Sequence, residues 1–185
     1  MTAADDDAYT EYVAAKMQWL RGVAFLLCQD WHRADDLGQA TITKLYVHWR
    51  RASQMANIDG YVRTILVNTF LSEQRSPWWK RVAPQVEDPQ STVRATDVEG
   101  VLDLREALKT LPPRQRATVV LRYYDELSVQ ETAEVLGCSE GNVKSQTSRA
   151  LDSLRRVLSD PPSPPGPGGL PAPGPRHSRR EGARS

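Results

Sequence analysis

From Tyr9 onward, apolar residues recur three and four positions apart as Tyr12, Val13, Met17, Leu20, Val23, Ala24 and Leu27. That spacing puts them on one stripe of an amphipathic helix. A second helix is predicted from about Arg33 to Trp49, with Ile42, Leu45, Tyr46 and Trp49 on one face and Asp35 and Asp36 in a first turn that suits the helix dipole. A third opens with Asp59 as N-cap and turns Tyr61, Val62, Ile65, Leu66, Thr69 and Phe70 inward. Three such helices can bury a common core.

The periodicity fades from Pro77 to about Glu99, where Pro77, Pro84 and Pro89 stand among acidic and small polar residues, the composition of a linker. Helical spacing resumes at Val101, Leu104, Leu108 and Leu111, and Pro112 and Pro113 stop it. The next helix carries Ala117, Val120, Leu121 and Tyr124 on its inner face. After Pro161 the chain holds eight of its thirteen prolines by Pro175, with four glycines between, then Arg176, Arg179, Arg180 and Arg184. Such a tail cannot form a packed core and is expected to be disordered.

The most specific local signal runs from Leu127 to Leu154. Ser128 precedes Glu131 by three, the spacing of a capping box, and predicts a short helix over Val129–Leu136. Gly137 then falls where a helix must end and the chain must turn. Ser139 caps a second helix with Val143, Ala150, Leu151 and Leu154 inward. Asn142, Lys144, Ser145, Gln146 and Arg149 stay polar, with Ser139 and Glu140 at the start of the same face. Two helices across a tight glycine turn, with small Ala133 at their crossing, describe a helix-turn-helix. Asn142, Ser145 and Gln146 can hydrogen-bond base edges, and Lys144 and Arg149 suit phosphates. A helical hairpin that only packs would use the same cap and glycine.

Composition bounds the alternatives. The 185 residues suffice for one ordinary domain or two small ones, and the 39% hydrophobic share fits a folded body with a disordered end. A net charge of +1 conceals alternation: residues 41–84 sum to +5, between −4 over 1–40 and −3 over 85–111. A basic middle between acidic segments points to one face for an anionic polymer and others for protein partners, although solvated faces of mixed sign would give the same sums. Cys28 and Cys138 fall in apolar patterns and suggest no disulfide framework. Cys28 and His32 share a helix spacing but lack the second pair a structural zinc site needs. The longest apolar run, Val23 to Cys28, is far short of the ~20 residues of a membrane span, so a cytoplasmic protein is expected. Asp5, Asp6 and Asp7 stand at a terminus expected to fray. No phosphate loop, nucleophile elbow or paired-metal signature supports an enzyme.

With these residues in place, the stretches DWHRADDLGQATITKLYVHWRR, YVRTILVNTFLSEQR and LPPRQRATVVLRYYDELSVQETAEVLGCSEGNVKSQTSRALDSLRR, in that order across a linker, resemble the extracytoplasmic-function sigma factors of the sigma-seventy class, particularly the actinobacterial SigE-like members. The resemblance spans about Tyr9 to Leu158. It implies an all-α fold of two small helical domains: a region-two domain over 1–76, a linker over 77–99, a region-four helix-turn-helix domain over 100–160 and a tail over 161–185. It implies docking on core RNA polymerase through Asp35, Asp36, Leu37 and Gln39. It further implies capture of a melted promoter element through Arg63, Asn68 and Arg75. Lys80 and Arg81 follow beside Trp78 and Trp79, rings and cations suited to single strands, although the two rings would serve equally to pack under the linker. The upstream element falls to the helix-turn-helix residues above. An anti-sigma protein is a further partner the family admits; no cofactor, metal or membrane is implied. Gln146 and Thr147 stand where many members have arginine and leucine, and Gly38 where a bulkier residue is usual.

Two other readings stay open. A stand-alone regulator would bind duplex DNA without polymerase. A sigma mimic would occupy an anti-sigma partner without touching DNA, although Arg75, Lys80, Arg81, Lys144 and Arg149 speak against that.

Overall fold

The structure, a computed structural model, describes residues 2–75 and 98–159, with side chains from Leu104 onward in the second stretch. Among the described residues are eight α-helices and one π-helical turn. They are α1 (Ala3–Cys28), α2 (Trp31–Val47), α3 (Trp49–Ala52), α4 (Ile58–Arg75), α5 (Val98–Thr110), α6 (Pro113–Val119), the π-turn (Val120–Tyr124), α7 (Val129–Leu136) and α8 (Glu140–Ser159). The all-α expectation holds. Most of the linker expected over 77–99 and the tail over 161–185, with Trp78, Trp79, Lys80 and Arg81, lie outside the described residues, and the last two linker positions, Val98 and Glu99, belong to α5.

Capping explains where several helices begin earlier than periodicity suggests. Thr2 and Asp5 form a capping box, with Asp5 N donating to Thr2 Oγ1 at 3.2 Å and Thr2 N to Asp5 Oδ2 at 3.0 Å. The acidic terminus expected to fray is therefore the first turn of α1. Asp30 caps α2 by accepting from Arg33 N at 2.8 Å, so Asp35 and Asp36 lie past the first turn. Asp35 is held by Arg21 at 2.7 Å instead. For α4, Asn57 takes the capping role given to Asp59 and accepts from Gly60 N at 2.8 Å.

Asp59 thereby serves the packing of α1 on α4. It accepts from Lys16 Nζ at 2.6 Å and from Tyr12 Oη at 2.7 Å. Burial pushes its carboxyl up, but these two hydrogen bonds and the charges of Lys16 and Arg63 outweigh that and hold it below the usual carboxylate range. A depressed folded value gives stability that is present above the unfolded pKa, near ~4, and is lost as pH falls through the folded value. The denaturation midpoint of the native chain should therefore fall more steeply below about pH 4 than that of Asp59→Asn. Parallel pH profiles of urea unfolding would refute this.

Leu20, Val23, Ala24 and Leu27 of α1, Leu37 and Leu45 of α2, and Val62, Leu66 and Phe70 of α4 form the expected common core. Trp49 is buried beneath Tyr9 and Tyr12, and the Tyr9 and Trp49 rings meet edge to face at 5.3 Å. The core does not stop there. Ala117, Val120 and Leu121, then Leu127, Val135 and Leu136, belong to the same buried cluster. The two helical groups therefore share one continuous core in place of two thin ones. A second, smaller cluster unites Ala107, Leu108 and Leu111 of α5 with Val119, Ala150 and Leu154.

Polar contacts line the same seam. Arg116 donates to Leu27 O at 2.8 Å, Arg105 lies 5.1 Å over the Phe25 ring, and Trp19 Nε1 donates to Asp125 at 2.8 Å. Gly22 permits the close approach of the π-turn: a Cβ there would sit 2.6 Å from Tyr124 Oη.

Three apolar-face assignments fail, among them Tyr46, which is 44% exposed and donates its hydroxyl to Asp6 at 3.2 Å. Tyr124 is 52% exposed because the π-turn, closed by Asp125 N on Val120 O at 3.1 Å, inserts an extra residue and rotates it off the stripe. Leu104 is 45% exposed, whereas Ala107, Leu108 and Leu111 are buried.

Candidate nucleic-acid interface

The second half builds its polar face from local signals. Glu131 N donates to Ser128 Oγ at 3.1 Å and Ser128 N to Glu131 Oε2 at 2.7 Å, the reciprocal capping box that starts α7. At its other end Gly137 has φ +58°. Cys138 N reaches Ala133 O at 3.0 Å and Gly137 N reaches Glu134 O at 3.3 Å, the paired bonds of a left-handed helix stop. Ser139 Oγ accepts from Asn142 N at 3.2 Å and starts α8.

Val143, Ala150 and Leu154 then anchor α8 inward, with Leu151 half-buried. Ser139, Glu140, Asn142, Lys144, Ser145 and Arg149 are exposed and Gln146 is half-buried. Asn142, Ser145 and Arg149 are spaced three and four apart and so share one exposed strip. Thr147 donates to Val143 O at 2.8 Å, which spends its hydroxyl inside the helix.

Beside that strip lies an open cleft of about 340 Å³ lined by Arg122, Lys144, Thr147, Ser148, Leu151 and Arg155, together with Val129. Three cations and the Ser148 hydroxyl around a shallow apolar floor suit a phosphate backbone. Arg122, Ser148 and Arg155 were not among the residues singled out from sequence. Ser148 and Arg155 follow Lys144 by four and eleven, a helical spacing that could have found them. Arg122 reaches the cleft only through the fold.

In the first half the structure divides the candidate residues. Asp35, Asp36 and Gln39 are exposed on α2, whereas Leu37 is fully buried in the core, where it positions that surface and does not present itself on it. Asn68 and Arg75 are exposed on α4, and a spacing of seven keeps them within about 20° of each other around the helix. Arg63 lies five residues before Asn68, about 140° away. It faces the second half, where its guanidinium pairs with Asp125, whose side chain is only 5% exposed, and lies 5.1 Å over the Trp19 ring.

Cys28 is buried, which pushes its thiol up to about 12, and His32 is exposed. Among the described residues no three His, Cys, Asp or Glu side chains are grouped as metal ligands, and no helix is long and apolar enough to cross a membrane.

Comparison with known proteins agrees with this arrangement. The family Sigma-70 region 2 matches residues 13–80, and Sigma-70, region 4 matches residues 102–154. The RNA polymerase sigma-E factor of Streptomyces coelicolor is 34% identical over 157 residues, which cover 81% of this chain and 85% of that protein. The ECF RNA polymerase sigma factor SigM of Mycobacterium tuberculosis is 29% identical, covering 84% of this chain and 80% of the relative. Among solved structures, the sigma factor RpoE of Bartonella quintana, in complex with the anti-sigma factor NepR, shares the fold with a TM-score of 0.67 at 24% identity. The match covers 82% of this chain and 97% of that one. CnrH, in complex with the cytosolic domain of CnrY, has a TM-score of 0.58 at 21% identity, covering 83% and 89%. The chain belongs to the extracytoplasmic-function group of the sigma-70 family, the alternative sigma factors that direct promoter recognition by RNA polymerase.

Proposed function

We propose the following division of labour. Residues 1–76 dock on core polymerase through Asp35, Asp36 and Gln39 and capture the melted minus-ten strand with Asn68 and Arg75, joined by Arg63, Lys80 and Arg81. Residues 100–160 read the minus-thirty-five duplex, and 77–99 span the distance between the elements. The exposed strip Asn142, Ser145 and Arg149, on a helix anchored by Val143 and Ala150, carries this reading. Asn142 and Ser145, with Gln146, would read base edges. Lys144 and Arg149, with Ser139, Glu140 and the cleft cations, would set the helix against the backbone.

Strand opening requires no catalytic group, metal or cofactor in this chain. Binding energy for unstacked bases draws the duplex toward the open form. The protein is a non-catalytic initiation subunit that would work in the cytoplasm. An anti-sigma protein is a fitting further partner, since RpoE is seen with one.

Run-off transcription with purified core enzyme tests the whole reading, and failure to bind core or to initiate on any genomic promoter would end it. Within the helix-turn-helix, Asn142→Ala or Ser145→Ala should relax choice at one or two bases. Lys144→Ala or Arg149→Ala should weaken all sequences and lower the salt slope by about 1. Equal, sequence-blind losses from all four in a duplex titration would remove the base-reading assignment.

A further inference from the structure

Only proline is less favourable than glycine inside a helix, and alanine would hold the same turn more firmly. Three of the described glycines have a reason for their place within the chain. Gly22 admits Tyr124, Gly137 takes φ +58°, and a Cβ at Gly60 would sit 2.7 Å from Asn57 Nδ2, on the side chain that caps α4. Gly141 lies in the first turn of α8, outside any helix interior.

Gly38 has none of these reasons. It is central in the 17 residues of α2, its φ is not positive, and a Cβ there would meet no neighbouring helix within 4 Å. Gly38 is nevertheless buried, so the space beside it is a recess and not an open helix face.

The helical angle locates that recess. Trp31 and Leu45, seven positions to either side, share the direction of Gly38 within about 20°. Trp31 stacks on Phe25 of α1 with ring centroids 3.9 Å apart, and Leu45 is buried in the core. Between these two levels the groove of α1 and α2 is unfilled. Ala34 and Ile42, one turn away on either side, give it apolar walls. Asp35, about 60° further round, forms its rim and is tied across the groove to Arg21. Gln39 and Asp36 follow on the exposed side of the same helix.

We propose that the recess at Gly38 receives an apolar side chain from the element of core polymerase that docks on Asp35, Asp36 and Gln39. The side chain that α2 lacks is then supplied by the partner, as a knob enters a hole between helices. Basic groups beside the knob would face the two aspartates. This rests on the docking reading above and adds a shape to its charge.

Competition for core polymerase by full-length Gly38→Ala and Gly38→Leu tests it. Both side chains enter unfilled space and favour helix, so the thermal midpoint should rise by about 3 °C. Core affinity should fall about fivefold for alanine and about thirtyfold for leucine, a loss graded by side-chain volume. A raised midpoint with weakened docking marks a recess that the partner fills, which a purely structural glycine would not produce.

Unchanged or increased core affinity in both variants would overturn the proposal. A lowered midpoint in both would do the same, because the recess would then have no room for a side chain. Asp36→Arg separates this inference from the reading beneath it. Undiminished core binding by Asp36→Arg sinks the docking assignment itself. Weakened binding by Asp36→Arg, with both Gly38 variants binding as the native chain does, sinks the recess alone.

Discussion

Replacing Asp36 with arginine is expected to weaken association with core polymerase by roughly thirtyfold or more, with the helical circular dichroism and the thermal midpoint unchanged. Asp36 is exposed on the second turn of α2, past the cap that Asp30 supplies, so it carries no part of the helix start. Its neighbour Asp35 is already engaged by Arg21, which leaves Asp36 and Gln39 as the open polar positions of that surface. Placing a cation opposite a basic partner surface sets like charges together, at a cost of about 2 kcal/mol or more, and each 1.4 kcal/mol is about a tenfold change in affinity. Undiminished binding in a competition assay against the native chain would withdraw the docking assignment. The fold should survive because the α2 core contribution comes from Ala34, Leu37, Thr41 and Leu45, which face the other way.

The largest effect on stability should come from Phe70→Ala, a loss of about 3–5 kcal/mol in denaturant unfolding. Phe70 is fully buried at the heart of the cluster that α1, α2 and α4 share with Ala117, Val120 and Leu121. Removing the ring deletes apolar contact and leaves a cavity that helices held by Leu27, Leu37, Leu45 and Leu66 cannot collapse to fill. A small domain has only ~5–15 kcal/mol in total, so the variant should be marginal at best. A loss under about 1 kcal/mol would mean that the site relaxes freely and that the core is looser than its burial suggests.

The two halves of the chain differ in how far their function could be read from residues alone. In the helix-turn-helix, the bounds of α7, its capping box, the glycine stop and the inward set on α8 all follow from neighbours three to five positions apart. Such signals are complete within a short window. In the first half, the family resemblance placed Arg63 with Asn68 and Arg75 as one promoter-facing set, and Leu37 with Asp36 and Gln39. The helical angle between Arg63 and Asn68, about 140°, already separated them. The burial of Leu37 likewise follows from its place on the apolar stripe with Leu45. What no window contained is the partner of Arg63, which lies 62 positions away.

The periodic spacing of apolar side chains, together with caps at Ser128 and Ser139 and the positive φ required at Gly137, determined by itself that this chain is helical and carries a helix-turn-helix whose second helix has a polar face. These are short-range preferences of the backbone and cannot be deferred to folding. Only the tertiary structure decided that the two helical groups share a core, that an extra residue in the π-turn carries Tyr124 outward, and that Asp125 meets Arg63 across the seam. Those outcomes depend on how two apolar faces align in space, and sequence distance holds no record of that alignment.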